Sequence, residues 1–175
     1  MWEEIFGNLT YDDINEYALT SKQNLLSVRE YFSHLTAVII KRLGLKDKIP
    51  QQEIIERIYH LNNYKSNDLS NIKIDDSGTW TKGNNVISKT AKEEKWVLNG
   101  KKHRVNGPAW TILKGTDTHF IWYMNGELHR VDGPAETVWR DGLKIREYWY
   151  VNDELYRRDG HAYTSWKDGV KESEY

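Results

Sequence analysis

The chain has 175 residues, 38% hydrophobic and 29% charged, with 25 basic against 26 acidic side chains and a formal net charge of −1. That gives room for one ordinary domain or two small ones, and it excludes the basic surplus with which a nucleic-acid binder meets phosphates. Cysteine is absent, so disulfides and thiolate metal sites are excluded. No apolar run approaches the roughly 20 residues a membrane-spanning helix needs, and the acidic opening "MWEEIFGNLT" lacks the basic start of a signal peptide. The expectation is a soluble, intracellular protein that is not secreted. Of the eight tryptophans, seven lie after residue 75, so the two ends of the chain differ in material.

The N-terminal part reads as helices. Thr10 with Asp13 three residues on is a capping pair, and Ile14, Tyr17 and Ala18 then share one helical face. Next, Leu25, Val28, Phe32, Leu35, Ile39 and Leu43 recur every three or four residues, an apolar stripe that Gly44 closes. A third helix is expected from Pro50, with Ile54, Ile58 and Leu61 on its inner face. "NNYKSND", residues 62–68, marks the end of this part. The expected division is 1–64 helical and 65–175 built from strands.

The stretch "EEIFGNLTYDDINEYALTSKQ" resembles an F-box, through Ile5, Leu9, Asp13, Ile14, Ala18, Leu19, Ser21 and Lys22. Two departures stand out. The upstream Leu-Pro pair of that motif is missing, and Gln23-Asn24 replaces the aromatic that follows its Ser-Lys. The resemblance implies docking on the Skp adaptor of a cullin–RING ubiquitin ligase, with Trp2, Ile5, Leu9 and Ile14 as the apolar contact face. The competing reading is a helical cap over one end of a repeat array.

The C-terminal part is a repeat. "KWVLNGKKHRVNGPAWTILKG", "IWYMNGELHRVDGPAETVWRDG" and "YWYVNDELYRRDGHAYTSWKDG" align without gaps in their key positions. Trp96, Trp122 and Trp149 stand 26 and 27 residues apart, as do Asn99, Asn125 and Asn152. Gly107, Gly133 and Gly160 keep the same register. Each copy offers an aromatic strand, then an Asn-Gly hairpin turn at Asn99-Gly100 and Asn125-Gly126, worn to Asn152-Asp153 in the third. A second turn follows at Gly107-Pro108 and Gly133-Pro134, then another strand. The spacing predicts an antiparallel meander with one hairpin and a connecting arm per repeat. Alternation places Ala135, Thr137 and Trp139 on one face and Glu136 and Val138 on the other. Residues 71–94, with Gly78, Trp80 and "NNVIS", read as a worn further copy.

These units resemble MORN-like repeats in the variant form "W-Y-x-N-G-x-x-H-R-x-D-G-P-A", over Lys95–Gly169 at least. Variant repeats of this kind, paired with an F-box-like segment, look like proteins of large DNA viruses of amoebae. The expected fold is therefore α+β: a small N-terminal F-box-like helical unit, then an antiparallel β-meander of MORN-like repeats about 26 residues long.

His129, Arg130 and Asp132 in "HRVDGPA" look like catalytic equipment. The copies argue for architecture instead. His103 and Arg104 are followed by Asn106, and the third copy has Tyr156, Arg157 and Asp159. What persists is the Trp, the Asn, the central Arg and the turn Gly. An Asp or Asn can bond its own turn, and an arginine can lie along an aromatic ring. His103 and His129, even joined by His119 or His161, make a poor metal set, since sites converge three or four supported ligands. Neither a phosphate loop nor a nucleophile motif is present.

The expectation is a protein without cofactor or catalysis that binds other proteins. The first reading is a viral substrate adaptor, joining a client held by the repeats to a host Skp–cullin ligase in the host cytoplasm. The alternative is a virion or minor capsid component, with a rigid ribbon holding its neighbours together.

Overall fold

The computed structural model describes residues 13, 14, 16, 17, 22–43, 45, 49–65 and 69–175. The chain forms two compact units, one of Met1–Asp75 with Trp80–Gly83, the other of Asp76–Thr79 with Asn84–Tyr175.

In the first unit Asp13, Ile14, Glu16 and Tyr17 are helical, and α1 spans Lys22–Leu43. Its inner face is the stripe read from the sequence: Val28, Phe32, Leu35 and Ile39 are all buried, joined by Tyr31. Thr36 sits in that stripe without cost to its hydroxyl, because Oγ1 donates to the Phe32 carbonyl one turn back at 2.7 Å. Lys41 and Arg42 occupy the last turn, where the helix dipole favours cations. Helix α2 spans Gln51–Leu61, opened by Pro50 as expected. It is buried almost all round, from Ile54 to Leu61, including Glu56, Arg57 and His60. Arg57 pairs there with Glu53 one turn earlier and lies 5.5 Å from the centre of the Trp80 ring. Strands β1 (Lys73–Ile74) and β2 (Trp80–Lys82) pair antiparallel in this unit, with Ile74 opposite Trp80. Trp80 is 1% exposed. Packing against α2, rather than the repeat register, governs this tryptophan.

The second unit is the meander. Strands β3 (Asn85–Lys89) and β4 (Glu93–Leu98) form a hairpin, as do β6 (Trp110–Lys114) and β7 (Asp117–Ile121). The same holds for β10 (Glu136–Arg140) with β11 (Leu143–Tyr148), and for β14 (Tyr163–Lys167) with β15 (Val170–Glu174). Side by side they give the order β3-β4-β6-β7-β10-β11-β14-β15, antiparallel throughout. Each copy of the repeat thus supplies two strands.

Between hairpins the chain leaves the sheet through the Asn turns. Strand β5 (Lys101–Lys102) pairs back on β4, β8 (Tyr123–Met124) pairs with β9 (Glu127–Leu128), and β12 (Tyr150–Val151) with β13 (Glu154–Leu155). At Asn99-Gly100 both residues have positive φ, 51° and 76°, the two-residue turn that matches strand twist. Asn152-Asp153 repeats this at 51° and 64°, although an aspartate pays for that conformation. The Asp153 carboxylate offsets the cost by accepting the Leu128 N–H at 2.7 Å.

Along β10, Glu136 and Trp139 are half-buried, and the pairing with β11 shifts register between Val138 and Trp139. Thr137 and Val138, on opposite faces, are both buried. No described helix is long and apolar enough to cross a membrane.

Candidate interaction surface

The three segments 103–109, 129–135 and 156–162 follow the Asn hairpins as equivalent loops, each closed by the same pair of main-chain bonds. Trp96 donates its N–H to Ala109 O and accepts from His103 N–H, at 2.8 and 3.1 Å. Trp122 does so with Ala135 and His129, at 2.7 and 3.2 Å. Trp149 does so with Ala162 and Tyr156, at 2.7 and 2.9 Å. The loop is pinned at both ends to its own tryptophan, so the backbone path survives whether a His or a Tyr stands at its start.

On each tryptophan lies the arginine of its loop. The guanidinium carbon is 3.9 Å from the ring centre for Arg104 on Trp96, 4.2 Å for Arg130 on Trp122 and 4.1 Å for Arg157 on Trp149. Such contacts are worth about 0.5–1 kcal/mol when exposed and about 2 when desolvated. The arginine in turn explains the glycine. A Cβ on Gly133 would stand 2.8 Å from Arg130 Cζ, and one on Gly107 would stand 3.1 Å from Arg104 Cζ. In the first two copies the loop folds down over the guanidinium where no side chain intervenes, whereas Gly160 has a φ of 120° that favours glycine in its own right.

A carboxylate beneath completes two of the three stacks. Glu94 Oε1 accepts the Trp96 indole N–H at 2.8 Å and lies 3.8 Å from Arg104. Burial alone would raise its pKa. The Trp96 indole, Lys89 and Arg104 outweigh that and hold the carboxyl below its ordinary value. Glu147 repeats the arrangement under Trp149 and Arg157, at 3.4 and 3.8 Å. The middle copy has Phe120 at this position, and there Asp132 takes over. It accepts from Arg130 Nε at 2.9 Å and from its own backbone N–H, and the arginine holds its pKa low. Glu94 and Glu147 carry no motif of their own. Their place two residues before Trp96 and Trp149 is the signal that could have found them.

The histidines join one copy to the next. Asn125 donates its backbone N–H to His103 Nδ1 at 3.1 Å, and its side-chain amide lies 3.0 Å from the same nitrogen. Asn152 does the same with His129, at 3.3 and 2.7 Å. Burial lowers the His103 pKa, and the Asn125 amide offsets this only in part. The neutral ring is the form whose Nδ1 can accept from Asn125. Main-chain bonds reinforce the joint: Arg104 N–H to Tyr123 O at 3.3 Å, and Arg130 N–H to Tyr150 O at 3.1 Å.

In the middle loop, then, His129 reaches the next copy's Asn152 while Arg130 lies on Trp122 and holds Asp132. All three residues are engaged in architecture. Pro108 accepts from Arg104 through its carbonyl at 3.4 Å, and Pro134 is half-buried in the same turn. Asp159 and Gly160 are exposed at the third turn. Of the proposed adaptor-docking residues, Ile14 is 0% exposed. Trp2, Ile5 and Leu9 lie outside the described residues. Among the described residues, no group of three or more His, Asp or Glu is placed to hold a metal ion.

Successive loops leave grooves between them. One, of about 440 Å³, runs between the first two loops and is lined by Arg104, Val105, Trp122, Met124, Arg130 and Asp132. The next, of about 610 Å³, has Arg130, Val131, Trp149, Tyr156, Arg157 and Arg158 at the matching step. Apolar side chains are exposed along them: Val131 is 80% exposed, Tyr156 54% and Val105 41%. Val105 and Val131 hold the same place beside the stacked arginines of the first two loops, and Arg158 takes that place in the third. No family model, curated protein or solved structure matches the chain.

Proposed function

We propose that this chain acts by binding other proteins, with the loop row of its repeat sheet as the contact surface. The carrying observation is the exposure of Val105 and Val131 in the same register, with Tyr156 exposed at the histidine position of the third loop, along loops that hydrogen bonds fix to one another. A preorganised surface loses little entropy on binding, and aromatic and arginine anchors dominate such contacts. The helical unit, by its F-box-like sequence, would couple a client held on this surface to the Skp adaptor of a host cullin–RING ligase. A viral origin and action in the host cytoplasm belong to the same reading and rest on the two sequence resemblances.

The test is a pull-down from host-cell extract with the full chain, an Ile5→Asp, Leu9→Asp double variant and a Val131→Glu, Tyr156→Glu double variant. Recovery of the Skp adaptor and a cullin is expected with the first and third and not with the second. Client recovery should fail with the third alone. If no chain recovers adaptor or cullin, the ligase reading fails, and abundance in purified virus particles would decide for an assembly role.

A further inference from the structure

The two grooves are one site repeated. Arg104, Val105, Trp122, Met124 and Arg130 of the first correspond by one repeat to Arg130, Val131, Trp149, Val151 and Arg157 of the second. A ligand that fills both must therefore repeat with the same step. Each copy adds two strands to the sheet, and strands lie about 4.8 Å apart, so the step is roughly 9.5 Å. A β-strand ligand presents alternate residues to one side, at intervals of about 6.8 Å, and falls out of step after one groove. A polyproline II segment has three residues per turn and rises about 3.1 Å per residue, so every third side chain returns to the same side after about 9.3 Å. Such segments also favour grooves lined by aromatic rings, and Trp122 and Trp149, each under its arginine, are among the lining residues here.

Charge selects among such segments. The second groove has Arg130, Arg157 and Arg158 against Asp159, and the first has Arg104 and Arg130 against Asp132. Both are net positive on a chain of net charge −1. Arg130 gives its Nε to Asp132 and Arg157 an Nη1 to the His161 carbonyl, and the other N–H groups of each guanidinium can donate to a carboxylate, as can the exposed Arg158.

We infer that the loop row binds an extended, polyproline II segment of a partner protein that carries an apolar residue and an acidic residue once in every three. The apolar side chains enter successive grooves, and the carboxylates meet Arg130, Arg157 and Arg158. This rests on the loop row being the protein-contact surface.

The experiment is fluorescence anisotropy with the full chain and a labelled peptide of repeated Leu-Pro-Glu triplets. Its control has the same composition, with leucines and glutamates recurring at two- and four-residue intervals. The triplet peptide is expected to bind about tenfold more tightly than the control, because a leucine out of register leaves one groove unfilled. Arg158→Glu, at an exposed position outside the stacks, should weaken triplet binding about fivefold. Equal affinity for the two peptides, or no binding of the triplets, overturns the inference. If the pull-down recovers clients through the loop row while the triplet preference is absent, the interaction reading stands and this ligand class falls. If triplets bind in register and no adaptor is recovered, the grooves stand and the ligase reading falls.

Discussion

In the first copy of the repeat, Trp96 is 0% exposed beneath Arg104, and His103, 7% exposed, holds Asn125. In the third copy, Trp149 is half-buried beneath Arg157, and Tyr156 stands 54% exposed at the histidine position. The stacking distances, 3.9 and 4.1 Å, are nearly the same, and so are the main-chain bonds that pin each loop. Local sequence therefore sets the shape of a copy. What surrounds a copy sets what its parts contribute to stability, because the hydrophobic and cation–π terms both scale with removal from water.

The sharpest way to break this contrast is to delete the matching tryptophans. Trp96→Ala should lower the free energy of unfolding by about 3–5 kcal/mol, as a wholly buried aromatic does. Trp149→Ala should cost about 1–2 kcal/mol, in proportion to its lesser burial. Urea titration followed by far-UV circular dichroism measures both, and equal losses would mean that position along the array does not matter.

Next in size is the joint between copies. His103→Ala removes the acceptor for the Asn125 N–H and a buried ring, and should cost about 1–2 kcal/mol. Tyr156→Ala, at the same register, should stay within about 0.5 kcal/mol. Acid sharpens the point. Burial depresses the His103 pKa in the folded chain, so its contribution is fully present above the ordinary histidine pKa and is lost as pH falls through the folded value. Stability should therefore decline more steeply between neutral pH and mildly acidic pH in the native chain than in His103→Gln. Parallel pH profiles would remove this histidine from the account.

Smaller again is Gly133→Ala. The new Cβ would displace the Arg130 guanidinium from Trp122, at about 1 kcal/mol, most of a half-exposed cation–π contact. A change in Trp emission together with a lowered urea midpoint is the expected signature. An unchanged midpoint would show that the stack does not need a glycine at this position.

The parts of the fold governed by local rules were legible. The stripe from Val28 to Ile39 reads as a helix because its period is a property of the helix itself. The Asn-Gly turns read as hairpins because few residues tolerate positive φ twice in succession. Long-range pairing was not legible. Nothing near His103 says that its partner is Asn125, 22 positions on. Trp80 resembles a repeat tryptophan, yet it packs under Arg57 in the helical unit. The Ala135–Trp139 alternation says which side chains share a face, while the burial of Thr137 and Val138 alike depended on what covered each face.

By itself, then, the sequence determined the α+β order, the hairpin turns and the translation that carries Trp, Arg and Gly from copy to copy. These follow from backbone sterics and periodicity, which act over a few residues. Only the tertiary structure decided that Glu94 and Glu147 support the stacks while Phe120 hands that task to Asp132. It alone decided that Asp153 is tolerated because Leu128 needs an acceptor, and that grooves open between loops. Each of these depends on strands meeting at about 5 Å across 20 or more residues of chain, where burial and hydrogen-bond geometry, not propensity, choose the partner.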